Sequence, residues 1–588
     1  MSYELPTKRH SLSHILAQAV KSIYPDAKLA IGPDIEHGFY YDFDFGEVEF
    51  KEENLKEIEK KMKNIIKQNQ IFENYRLPVD EAIRILNDSG EIYKVEMAED
   101  LKAGGETEIS FYKNMTQQGI QTFVDMCRGP HVGKSLDIDE SSFKLDKIAG
   151  AYWKGDSNNK MLTRIYAFAF ENREELDAYL KQLEEAKRRD HRIIGDKMKL
   201  FTISKLVGAG LPLLQPNGMV IRKEIEDYLW ELHKNKGYDR VWTPHLAKED
   251  LYITSGHAEK FGDELFRVKG ADDSFFLKPM NCPHHMQIFA DNQFSYRDMP
   301  IRYFEPATVY RDEKSGQLSG LTRVRSITQD DGHLFCRVGQ ISDEVGTIVS
   351  IIKEFYVTMG MIEGYWVRLS VRGPEGKYMG SDEAWEKAEG ALTAAAEKYN
   401  LPYRIGIDEA AFYGPKLDFI FKDAIGREWQ LATIQCDFQL PERFDLSYVN
   451  EAGEKERPVV IHRAISGSLE RFMGVMIEHF AGIFPLWLAP KQVIIVPVSD
   501  IFNDYGQEIC KKLKESSIRA TVDNTSDSLN KKVRNAEMSK IPYILIVGEQ
   551  EQNDKTVSVR NYKTKEQNVA KIEDFISDIS EEIKTKKI

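Results

Sequence analysis

The stretch IRYFEPATVYRDEKSGQLSGLTRVRSITQDDGHLF, residues 301–335, predicts a strand, a glycine-bearing loop and a returning strand. Arg311 and Glu313 stand at the start of the loop, and Arg323 begins the return. A hairpin of this kind points its arginines toward a shared face. Because the guanidinium fork matches the geometry of phosphate oxygens, a fixed pair of arginines suits a nucleoside triphosphate. For any one arginine taken alone, a surface salt bridge is the competing interpretation.

A second anion-binding signal lies in SGSLERFMGVMIEHF, residues 466–480. Ser468 suits the N-cap of a helix, and Arg471 falls in the first turn of that helix. The helix dipole and the guanidinium both favour an anion at this end. The start of this helix is therefore a second candidate contact for phosphate.

Three metal-type side chains crowd LKPMNCPHHMQIF, residues 277–289, where Cys282 precedes His284 and His285. Neighbouring side chains diverge on both helices and strands, so the three cannot all reach one metal ion. The Cys-x-x-Cys spacing of a structural zinc knuckle is also absent. At most one or two of these residues bind a metal, and the other ligands must come from distant segments.

Two distant histidines stand in settings that suit a ligand. His333 lies in SITQDDGHLFC, where we expect it just after a strand. His462 lies in RPVVIHRAISGSLERF, where we expect it at the end of an apolar strand. Both are far from Cys282 along the chain, so only the tertiary fold can bring the three together.

The N-terminal part contains another group of histidines and cysteine. KRHSLSHILAQAV places His10 and His14 four residues apart, on one face of a predicted helix. MCRGPHV places Cys127 and His131 four apart as well, but its Gly-Pro pair makes that segment a loop. On spacing alone, these four residues favour a zinc tetrad.

Length and composition limit the class of protein. A chain of 588 residues suits about three or four domains. The start has no apolar signal-peptide core, and the longest apolar runs, such as VIIVPV, fall short of the roughly 18 residues of a membrane span. Five cysteines favour a reducing compartment, and a net charge of −14 opposes non-specific binding to polyanions. We expect a cytoplasmic protein with neither membrane nor DNA as a partner.

Helical and strand patterns suggest the order of the domains. The charged segment 171–201 predicts one long helix that leaves one domain for another. Segment 215–246 predicts a turn, a helix stopped by Gly237, and the strand YDRVWTPHL. From residue 491, strands alternate with helices, which predicts a small α/β domain. In the helix predicted within segment 215–246, one face is expected to carry the apolar residues Ile221, Ile225, Leu229 and Leu232.

Taken together, the segment with Pro244, the Arg311 hairpin and the Arg471 helix resemble the three motifs of class II aminoacyl-tRNA synthetases. MNCPHHMQIF, LTRVRSITQDDGHLF and VIHRAISGSLERF resemble the threonyl-tRNA synthetase family more closely. No GxxxxGK[ST] or GxGxxG motif competes with a class II nucleotide site.

The resemblance implies an α+β multidomain fold. The expected parts are an N-terminal α+β editing domain at 1–183, a linker helix at 184–200, an antiparallel class II catalytic core at 201–488, and a C-terminal α/β anticodon-binding domain at 489–588. The family's ubiquitin-like N-terminal (TGS) domain is expected to be absent, because the chain begins almost at the HxxxH helix. Class II sites usually belong to dimers, so a homodimer is expected.

In the family, Cys282, His333 and His462 would bind one zinc ion per subunit. One thiolate and two imidazoles leave a coordination position open, as in catalytic zinc sites. The amino group and hydroxyl of threonine would bind there, so valine would lose a metal bond. His284 stands where the family usually has glycine, and both His284 and His285 are interpreted as non-ligands. Further expected contacts to the amino acid are Met280, Gln329, Asp331 and Gln435.

The resemblance also assigns contacts to ATP with Mg²⁺ and to tRNA. Arg311 would hold the α-phosphate, Glu313 the adenine side and Arg471 the γ-phosphate, with Arg323 nearby. His257 would lie near the terminal ribose of tRNA(Thr), the alternative being an exposed loop histidine. The same cleft would contain Tyr413 and Lys416, and candidate anticodon contacts are Arg534, Glu537 and Arg560.

Serine also carries an amine and a hydroxyl, so a zinc site would accept it. Loss of one methyl costs only about 1–3 kcal/mol, which calls for a second, hydrolytic sieve. The resemblance places that sieve in the first domain, as a metal-free pocket for seryl-tRNA formed by His10, His14, Cys127 and His131. Further pocket positions would be Lys94, Asp125 and Tyr41.

Two other functions compete with threonine–tRNA ligation. A synthetase-like protein could bind RNA without aminoacylating it, although such relatives typically lose the phosphate arginines or the metal ligands. A prolyl or seryl class II enzyme is the other alternative. Threonine-dependent ATP–pyrophosphate exchange would distinguish a threonine–tRNA ligase from the RNA-binding protein. Zinc content would distinguish it from the prolyl or seryl enzyme.

Overall fold

The computed structural model describes residues 3–374 and 378–588 and divides into two compact units, Met1–Glu184 and Glu185–Ile588. The first unit contains α1 (Leu5–Ile23), β1 (Lys28–Leu29), β2 (Asp34–Ile35), β3 (Gly38–Asp44), α2 (Leu55–Lys67), β4 (Ile71–Pro78), α3 (Val79–Asp88), α4 (Ile92–Ala103), β5 (Glu108–Met115), β6 (Gln121–Met126), β7 (Phe143–Tyr152) and β8 (Met161–Ala169). The unit boundary falls within α5 (Arg173–Arg189).

The first unit packs helices on two antiparallel sheets. One sheet has the strand order β1-β3-β8-β7, with β2 paired to β3, and the other has the order β4-β5-β6. A proline in the first turn starts α1 without losing a helical hydrogen bond. Leu12, Ile15, Leu16 and Val20 of α1 are buried against α2 and β3. This packing fixes the face of α1 that carries His10 and His14.

The second unit begins within α5 and has a longer part, which runs from α6 to α14, and a C-terminal part. In chain order its elements are α6 (His191–Met198), β9 (Phe201–Thr202), β10 (Leu213–Leu214), α7 (Pro216–Lys234), β11 (Asp239–Arg240), β12 (Leu246–Lys248), α8 (Glu249–Thr254), α9 (His257–Phe261), β13 (Arg267–Lys269), β14 (Ser274–Leu277), α10 (Cys282–Ala290), β15 (Ile301–Tyr310), β16 (Ser326–Cys336), α11 (Ile341–Thr358), β17 (Trp366–Val371), α12 (Asp382–Lys398), β18 (Tyr403–Ile407), β19 (Lys416–Lys422), β20 (Glu428–Asp437), α13 (Gln439–Arg443), β21 (Tyr448–Val449), β22 (Lys455–Glu456), β23 (Val459–Ser468) and α14 (Leu469–His479).

An eight-stranded sheet organises this part of the second unit. Its order is β11-β15-β16-β23-β20-β19-β17-β18, antiparallel except for the pairs at its two edges. The predicted hairpin of 301–335 is confirmed, because β15 and β16 pair antiparallel along their whole length. The helix α14 is also confirmed, with the Ser468 hydroxyl accepting from the Arg471 backbone N–H as its N-cap.

Two local expectations were wrong. The segment predicted as one long helix forms α5 and α6, and Asp190 between them caps α6 by accepting from Arg192 N. The strand predicted for YDRVWTPHL is limited to Asp239–Arg240 in β11 and to the start of β12 at Leu246. In contrast, the apolar face predicted for α7 is buried in the core of the second unit.

The C-terminal part confirms the predicted alternation of strands and helices. Its elements are β24 (Val493–Pro497), α15 (Asn503–Glu515), β25 (Ala520–Val522), α16 (Leu529–Met538), β26 (Tyr543–Val547), α17 (Glu549–Asp554), β27 (Thr556–Asn561), β28 (Gln567–Lys571) and α18 (Ile572–Lys584). The sheet order is β25-β24-β26-β27-β28, parallel in its first three strands and antiparallel in the last two. Within the described ranges, no helix is long and apolar enough to cross a bilayer.

Candidate active site and metal centre

One row of paired residues crosses the large sheet and carries both distant histidines. His333 of β16 pairs with Tyr303 on one side and with His462 of β23 on the other. His462 in turn pairs with Gln435 of β20, and Gln435 with Lys416 of β19. Because directly paired residues project from the same face of a sheet, the two imidazoles lie side by side, with ring centroids 4.7 Å apart.

The first turn of α10 brings Cys282 to these two histidines. The three side chains are buried, and one ligand atom from each lies within 4.8 Å of the others. Both histidines lie inside strands, whereas the sequence predicted His333 after a strand and His462 at a strand end. That expectation was wrong because the two apolar strands continue through their histidines. One cysteine and two histidines in this arrangement could hold a metal ion.

Acidic side chains surround this cluster. His462 Nε2 lies 2.8 Å from Asp437 Oδ2, so Nδ1 of His462 is left for a metal. Asp331, two residues before His333 and on the same strand face, lies with its Oδ1 atom 3.9 Å from His333 Nε2. Burial, followed by the charges of Asp331 and Asp437, raises the pKa of the Cys282 thiol well above its ordinary value. A divalent cation would balance the negative charge that these carboxylates bring into the interior.

His257 lies against the cluster and not on the surface. The residue is fully buried at the start of α9, with Nε2 3.5 Å from Cys282 Sγ and Nδ1 2.8 Å from Ser255 Oγ. Burial, followed by His462 and Arg311, lowers the pKa of His257 to about 3, so the imidazole is neutral near pH 7. The alternative of an exposed loop histidine was therefore wrong.

A cleft of about 710 Å³ opens over the cluster and contains most of the expected substrate contacts. Its lining includes Met280, Arg311, Glu313, Arg323, Gln329, Asp331, His333, Tyr413, Gln435, His462 and Arg471. The structure thus gathers into one cleft residues that the sequence spreads over nearly 200 positions.

Two arginines in this cleft keep unsatisfied donors. The Nε atoms of Arg311 and Arg471 are buried and have no hydrogen-bond partner in the part of the chain that the structure describes. The Arg311 guanidinium lies 4.9 Å from the centroid of the Phe261 ring, and the Arg471 guanidinium lies 5.8 Å from that of Trp429. Burial lowers the pKa of both side chains. Two half-buried guanidinium groups whose Nε donors are unpaired among the described residues suit an anionic ligand.

The third arginine of the predicted set is differently placed. Arg323 Nη2 lies 2.7 Å from Glu313 Oε2, so these two residues form an ion pair at the loop. For Arg323, the salt-bridge interpretation therefore agrees with the structure.

Tyr413 lines the wall of the cleft nearest β20, whereas Lys416, which was expected in the same cleft, is not among its lining residues. The ring of Tyr413 stacks on His462 with centroids 4.9 Å apart, and its hydroxyl donates to Gln435. Lys416 Nζ lies 2.7 Å from Asp418 Oδ2. On the opposite wall, Met280 lies with its sulfur 3.2 Å from Arg311 Nη2. These contacts hold Gln435 and Arg311 in defined positions around the cleft.

Asp330 shapes the turn that starts α14, a role that sequence reasoning missed. Its carboxylate is buried and accepts from the backbone N–H groups of Ile465, Ser466 and Gly467 at 2.8–3.1 Å. Burial raises the pKa of Asp330 to about 6 despite the buried Arg463 guanidinium beside it. These bonds stabilise the irregular pairing between β16 and β23, and so place Ser468 and Arg471 at the cleft.

The first unit has its own Cys–His cluster. Cys127 Sγ lies 3.2 Å from His10 Nε2 and 3.3 Å from His131 Nε2. Ligand atoms of these three lie within 4.8 Å of one another, and His14 is outside that set, with its ring centroid 4.8 Å from that of His131. The structure therefore brings together three of the four predicted residues as a metal-type group and sets the fourth beside it.

A cavity of about 870 Å³ adjoins this cluster. Its lining includes His10, His14, Tyr41, Lys94, Asp125 and Cys127. Asp125 accepts from the Tyr41 hydroxyl at 2.6 Å and pairs with Lys94 Nζ at 3.0 Å. Burial raises the pKa of the Cys127 thiol to about 11 and lowers the pKa of His14 to about 4. Near pH 7 the pocket therefore presents neutral imidazoles and a thiol beside one buried ion pair.

The anticodon candidates lie on the C-terminal sheet and the helix beside it. Arg560 of β27 pairs with Glu537 of α16, with Nη2 2.9 Å from Oε1. Lys565 Nζ lies 3.4 Å from the same carboxylate oxygen. Arg534 lies on the same helix as Glu537. Their proposed contacts with bases stay predictions.

Known families match three parts of the chain. The tRNA synthetase class II core domain (G, H, P, S and T) matches residues 266–480, and the anticodon binding domain matches residues 492–582. The threonyl and alanyl tRNA synthetase second additional domain matches residues 109–166. The sheet, its cleft and the first match define a class II aminoacyl-tRNA synthetase core.

Individual relatives identify the family within the class II synthetases. The threonine–tRNA ligase of Clostridium tetani is 47% identical over 577 residues, covering 98% of this chain and 88% of the relative. That of Gloeobacter violaceus is 48% identical over 559 residues, covering 94% and 88%. The chain belongs to the threonine–tRNA ligase family, which confirms the resemblance drawn from its three motifs.

Solved structures agree with this assignment. The RNA binding domain of threonyl-tRNA synthetase from Cryptosporidium parvum matches with a TM-score of 0.64 and 35% identity, covering 67% of this chain and 98% of that one. A prolyl-tRNA synthetase from the same organism matches with a TM-score of 0.51 and 18% identity, covering 67% and 75%. The second likeness concerns the fold alone.

Proposed function

We propose that this chain ligates L-threonine to tRNA(Thr) at the expense of ATP and hydrolyses mischarged seryl-tRNA(Thr) in its first unit. One observation carries the proposal: His333 and His462, which meet the buried Cys282, line the same cleft as Arg311 and Arg471. A metal that recognises an amino acid and guanidinium groups that recognise phosphates would then act on adjacent parts of one substrate complex.

The three residues fit a zinc ion by their chemistry. The donor set is one sulfur and two ring nitrogens, and the Asp437 and Asp331 carboxylates lie beside the two histidines. A bound zinc ion would supply open coordination positions for an amine and a hydroxyl, both of which threonine offers, whereas valine offers only the amine. We propose one zinc per chain at this site.

The remaining cleft residues would hold and orient the reactants. Arg311 is proposed to bind the α-phosphate of ATP and Arg471 the γ-phosphate, with Mg²⁺ on the triphosphate. The threonine carboxylate attacks the α-phosphorus, which forms threonyl-adenylate and releases pyrophosphate. The Nε donors of the two guanidinium groups are buried without a partner among the described residues, and burial lowers the pKa of both side chains, so these partly desolvated groups need little reorganisation as charge builds on the phosphate oxygens.

Amino-acid contacts follow from the sheet register. Gln329, Asp331 and His333 alternate along β16, so all three project toward the cleft. Gln435 projects from β20 beside His462. We propose that Asp331 and Gln435 bind the polar groups of threonine and that Met280 contacts its side chain. Glu313 is proposed to lie at the adenine side, and its ion-pair partner Arg323 near Arg471 and the γ-phosphate.

In the second step the terminal 3′-hydroxyl of tRNA attacks the activated carbonyl and AMP leaves. His257 is proposed to act near this hydroxyl, and its neutral imidazole, pKa about 3, suits a proton acceptor only weakly. The proposed role is therefore orientation of the ribose. Tyr413 and Lys416 are proposed to line the same approach.

For editing, we propose that His10, His14, Cys127 and His131 form a metal-free hydrolytic pocket, with Lys94, Asp125 and Tyr41 at its wall. Neutral imidazoles beside a cavity can position and activate water. The Lys94–Asp125 pair is buried and held by Tyr41, so it offers a fixed charge pattern to the ribose or ester. Support for this function comes from the second additional domain family that matches residues 109–166.

The proposed domain limits follow the sequence expectation. Residues 1–183 would edit, 184–200 would link, 201–488 would ligate and 489–588 would bind the anticodon. The division at Glu184/Glu185 supports the first limit. A homodimer and a cytoplasmic location are also proposed, the latter supported by five cysteines that are all unpaired.

Threonine-dependent ATP–pyrophosphate exchange combined with metal analysis tests the proposal. We expect exchange with threonine, much weaker exchange with valine, and about one zinc per chain. No exchange, or exchange driven by proline or serine in preference to threonine, would contradict it.

A further inference from the structure

His285 lies one turn beyond Cys282 on α10 and contacts His333 directly. Its side chain is fully buried. Its Nδ1 atom lies 2.8 Å from His333 Nδ1, and the two rings are perpendicular with centroids 4.7 Å apart. Two ring nitrogens at this distance share one hydrogen, so one imidazole donates and the other accepts.

The other side of His285 faces a carboxylate. His285 Nε2 lies 3.1 Å from Glu305 Oε2. Glu305 also accepts from the Thr243 backbone N–H at 2.8 Å and from Asn281 Nδ2 at 2.8 Å. Lys278 Nζ lies 3.7 Å from the same carboxylate. These buried donors hold Glu305 as an acceptor with a fixed orientation.

The direction of each hydrogen bond follows from this arrangement. His285 Nε2 also lies 3.0 Å from Asn281 Nδ2, but that amide makes its shorter bond, 2.8 Å, to Glu305 Oε2. Because an ionised carboxylate only accepts, we assign the hydrogen of the 3.1 Å contact to His285 Nε2, which donates to Glu305. A neutral imidazole protonated at Nε2 accepts at Nδ1, so His333 Nδ1 must donate to His285. His333 then keeps its lone pair on Nε2, the nitrogen needed to bind a cation beside Cys282 and His462.

We propose that Glu305 and His285 form a positioning pair that fixes the tautomer and ring orientation of His333, and that this pair sets the affinity of the Cys282–His333–His462 centre for zinc. The inference deepens the proposed function and rests on its zinc site. His285 and Glu305 are not among the residues that line the cleft, nor do they belong to the Cys282–His333–His462 group, so both are positioning residues.

The sheet explains why a second imidazole is needed. Glu305 of β15 pairs with Asp331 of β16, while His333 pairs with Tyr303. No carboxylate of β15 therefore stands directly opposite His333, and His285, entering from α10, bridges from His333 to Glu305. His462 needs no such bridge, because Asp437 contacts its ring at 2.8 Å. Both ligand histidines are thus linked to a carboxylate. His462 contacts Asp437 directly, and His333 reaches Glu305 through His285, a series of contacts that we call the relay.

His284 provides a matched control on the same helix. It is also buried, yet neither ring nitrogen has a hydrogen-bond partner in the described part of the chain. Its ring lies near Tyr252, with centroids 6.1 Å apart, and not against His333. Replacement of His284 therefore removes a neighbouring buried imidazole without touching the relay.

The test measures zinc affinity in the full chain by competition with a chelator of known affinity. We expect His285→Ala to weaken zinc binding about 10–100-fold, as for other residues that support metal ligands. His285→Asn can still accept from His333 Nδ1 and should recover part of that loss. Glu305→Gln should fall between wild type and His285→Ala. His284→Ala should bind zinc within about twofold of wild type.

A second readout separates positioning from general destabilisation. With Co²⁺ in place of zinc, the visible absorption of the metal reports its coordination geometry. We expect altered spectra for His285→Ala and Glu305→Gln and an unchanged spectrum for His284→Ala. If His285→Ala does not fold, His285→Asn and Glu305→Gln decide, because weaker zinc binding at an unchanged melting temperature supports the relay.

The outcomes distinguish this inference from the proposed function. If wild type binds one zinc and the His285 and Glu305 variants bind it as tightly as His284→Ala, the relay is wrong and the ligase proposal stands. If wild type binds no zinc at all, the metal centre of the proposed function is itself wrong.

Discussion

Two clusters in this chain have the same composition, one cysteine and two histidines whose ligand atoms lie within 4.8 Å of one another. Cys282, His333 and His462 come from a helix start and two paired strands. His10, Cys127 and His131 come from a helix and a loop. Composition and spacing therefore do not distinguish them.

The groups behind the histidines do distinguish the two clusters. In the second unit, His462 contacts Asp437, and His333 reaches Glu305 through His285. In the first unit, His131 Nδ1 faces the Ser11 hydroxyl at 3.2 Å. Asp125 of the first unit is bound by Tyr41 and Lys94 instead. A carboxylate behind each imidazole is typical of a metal centre, so we expect zinc in one cluster and hydrolysis in the other.

The largest expected difference between the clusters is metal content. Cys282→Ala should reduce zinc from about one per chain to none and lower threonine-dependent exchange about 10³-fold or more, because a metal that contributes several kcal/mol is lost. Cys127→Ala, the matched change in the other cluster, should keep one zinc and normal exchange. Two zinc ions in wild type, one lost in each variant, would show that the clusters are alike.

Editing should depend on the cluster of the first unit, whereas zinc content and exchange depend on that of the second. His10→Ala should slow deacylation of seryl-tRNA(Thr) about 10²-fold, as expected when a group that positions or activates water is removed. Zinc content and exchange should not change. His37→Ala serves as the control, since His37 is a more exposed histidine of the same unit. Deacylation at the wild-type rate in His10→Ala would remove the role proposed for this cluster.

The third expected difference between the clusters is the loss of stability of the first unit at acid pH. Burial lowers the pKa of His14 to about 4, whereas a histidine in the unfolded chain titrates near 6.5. Between these values the unfolded chain binds a proton that the folded chain does not. The stabilising contribution is therefore complete above about pH 6.5 and is lost as pH falls toward 4, by about 3 kcal/mol at most.

Hydrogen exchange of α1 in the full chain measures this effect. Protection should fall over that pH range, and burial lowers the pKa of His10 and His131 in the same direction. His14→Phe should flatten the profile, because the ring then packs against Phe72 and Phe123 without titrating. An unchanged pH profile in His14→Phe would assign the acid sensitivity to other groups.

The smallest effect on function is expected from substitutions in a third group of side chains that could hold a metal ion. This group consists of Asp190, His191 and Glu478. His191 Nδ1 lies 2.6 Å from Glu478 Oε1, and His191 Nε2 accepts from Leu321 N at 3.0 Å. Both ring nitrogens are therefore occupied, and the second one holds the loop that carries Arg323.

His191→Asn keeps a donor near Glu478 but loses the acceptor for Leu321, whereas His191→Gln can keep that acceptor. We expect His191→Asn to raise the KM for ATP about fivefold, the effect of one hydrogen bond, and to leave the KM for threonine and the zinc content unchanged. His191→Gln should lie closer to wild type. An equal rise in both variants would mean that the ring packing, and not the bond to Leu321, matters.

Local patterns predicted those parts of the fold that depend on neighbours in the chain. The β15–β16 hairpin, the Ser468 N-cap and the apolar face of α7 follow from strand alternation, capping and helical periodicity. The break at Asp190 escaped prediction, because a charged helix and two shorter helices share the same sparse periodicity. Family motifs, rather than periodicity, pointed to the residues of the two clusters.

Most of the groups that support the ligand histidines had no sequence signal of their own. Glu305, Asp437 and His285 lie in ordinary strand or helix positions, and their roles depend on which side chain stands across a strand pair. Only His285 had a signal. It is an additional histidine close to the candidate ligand Cys282, and the sequence already indicated that His285 could not reach the metal itself.

The sequence by itself determined the kinds of groups available: one thiol, two imidazoles and two arginines at helix and strand positions that favour phosphate. Only the tertiary structure decided that His333 and His462 stand in one row and that a carboxylate lies behind each of them. The physical reason is that strand register and helix packing are set by burial of the whole core, whereas local sequence specifies only the direction in which each side chain leaves its own element.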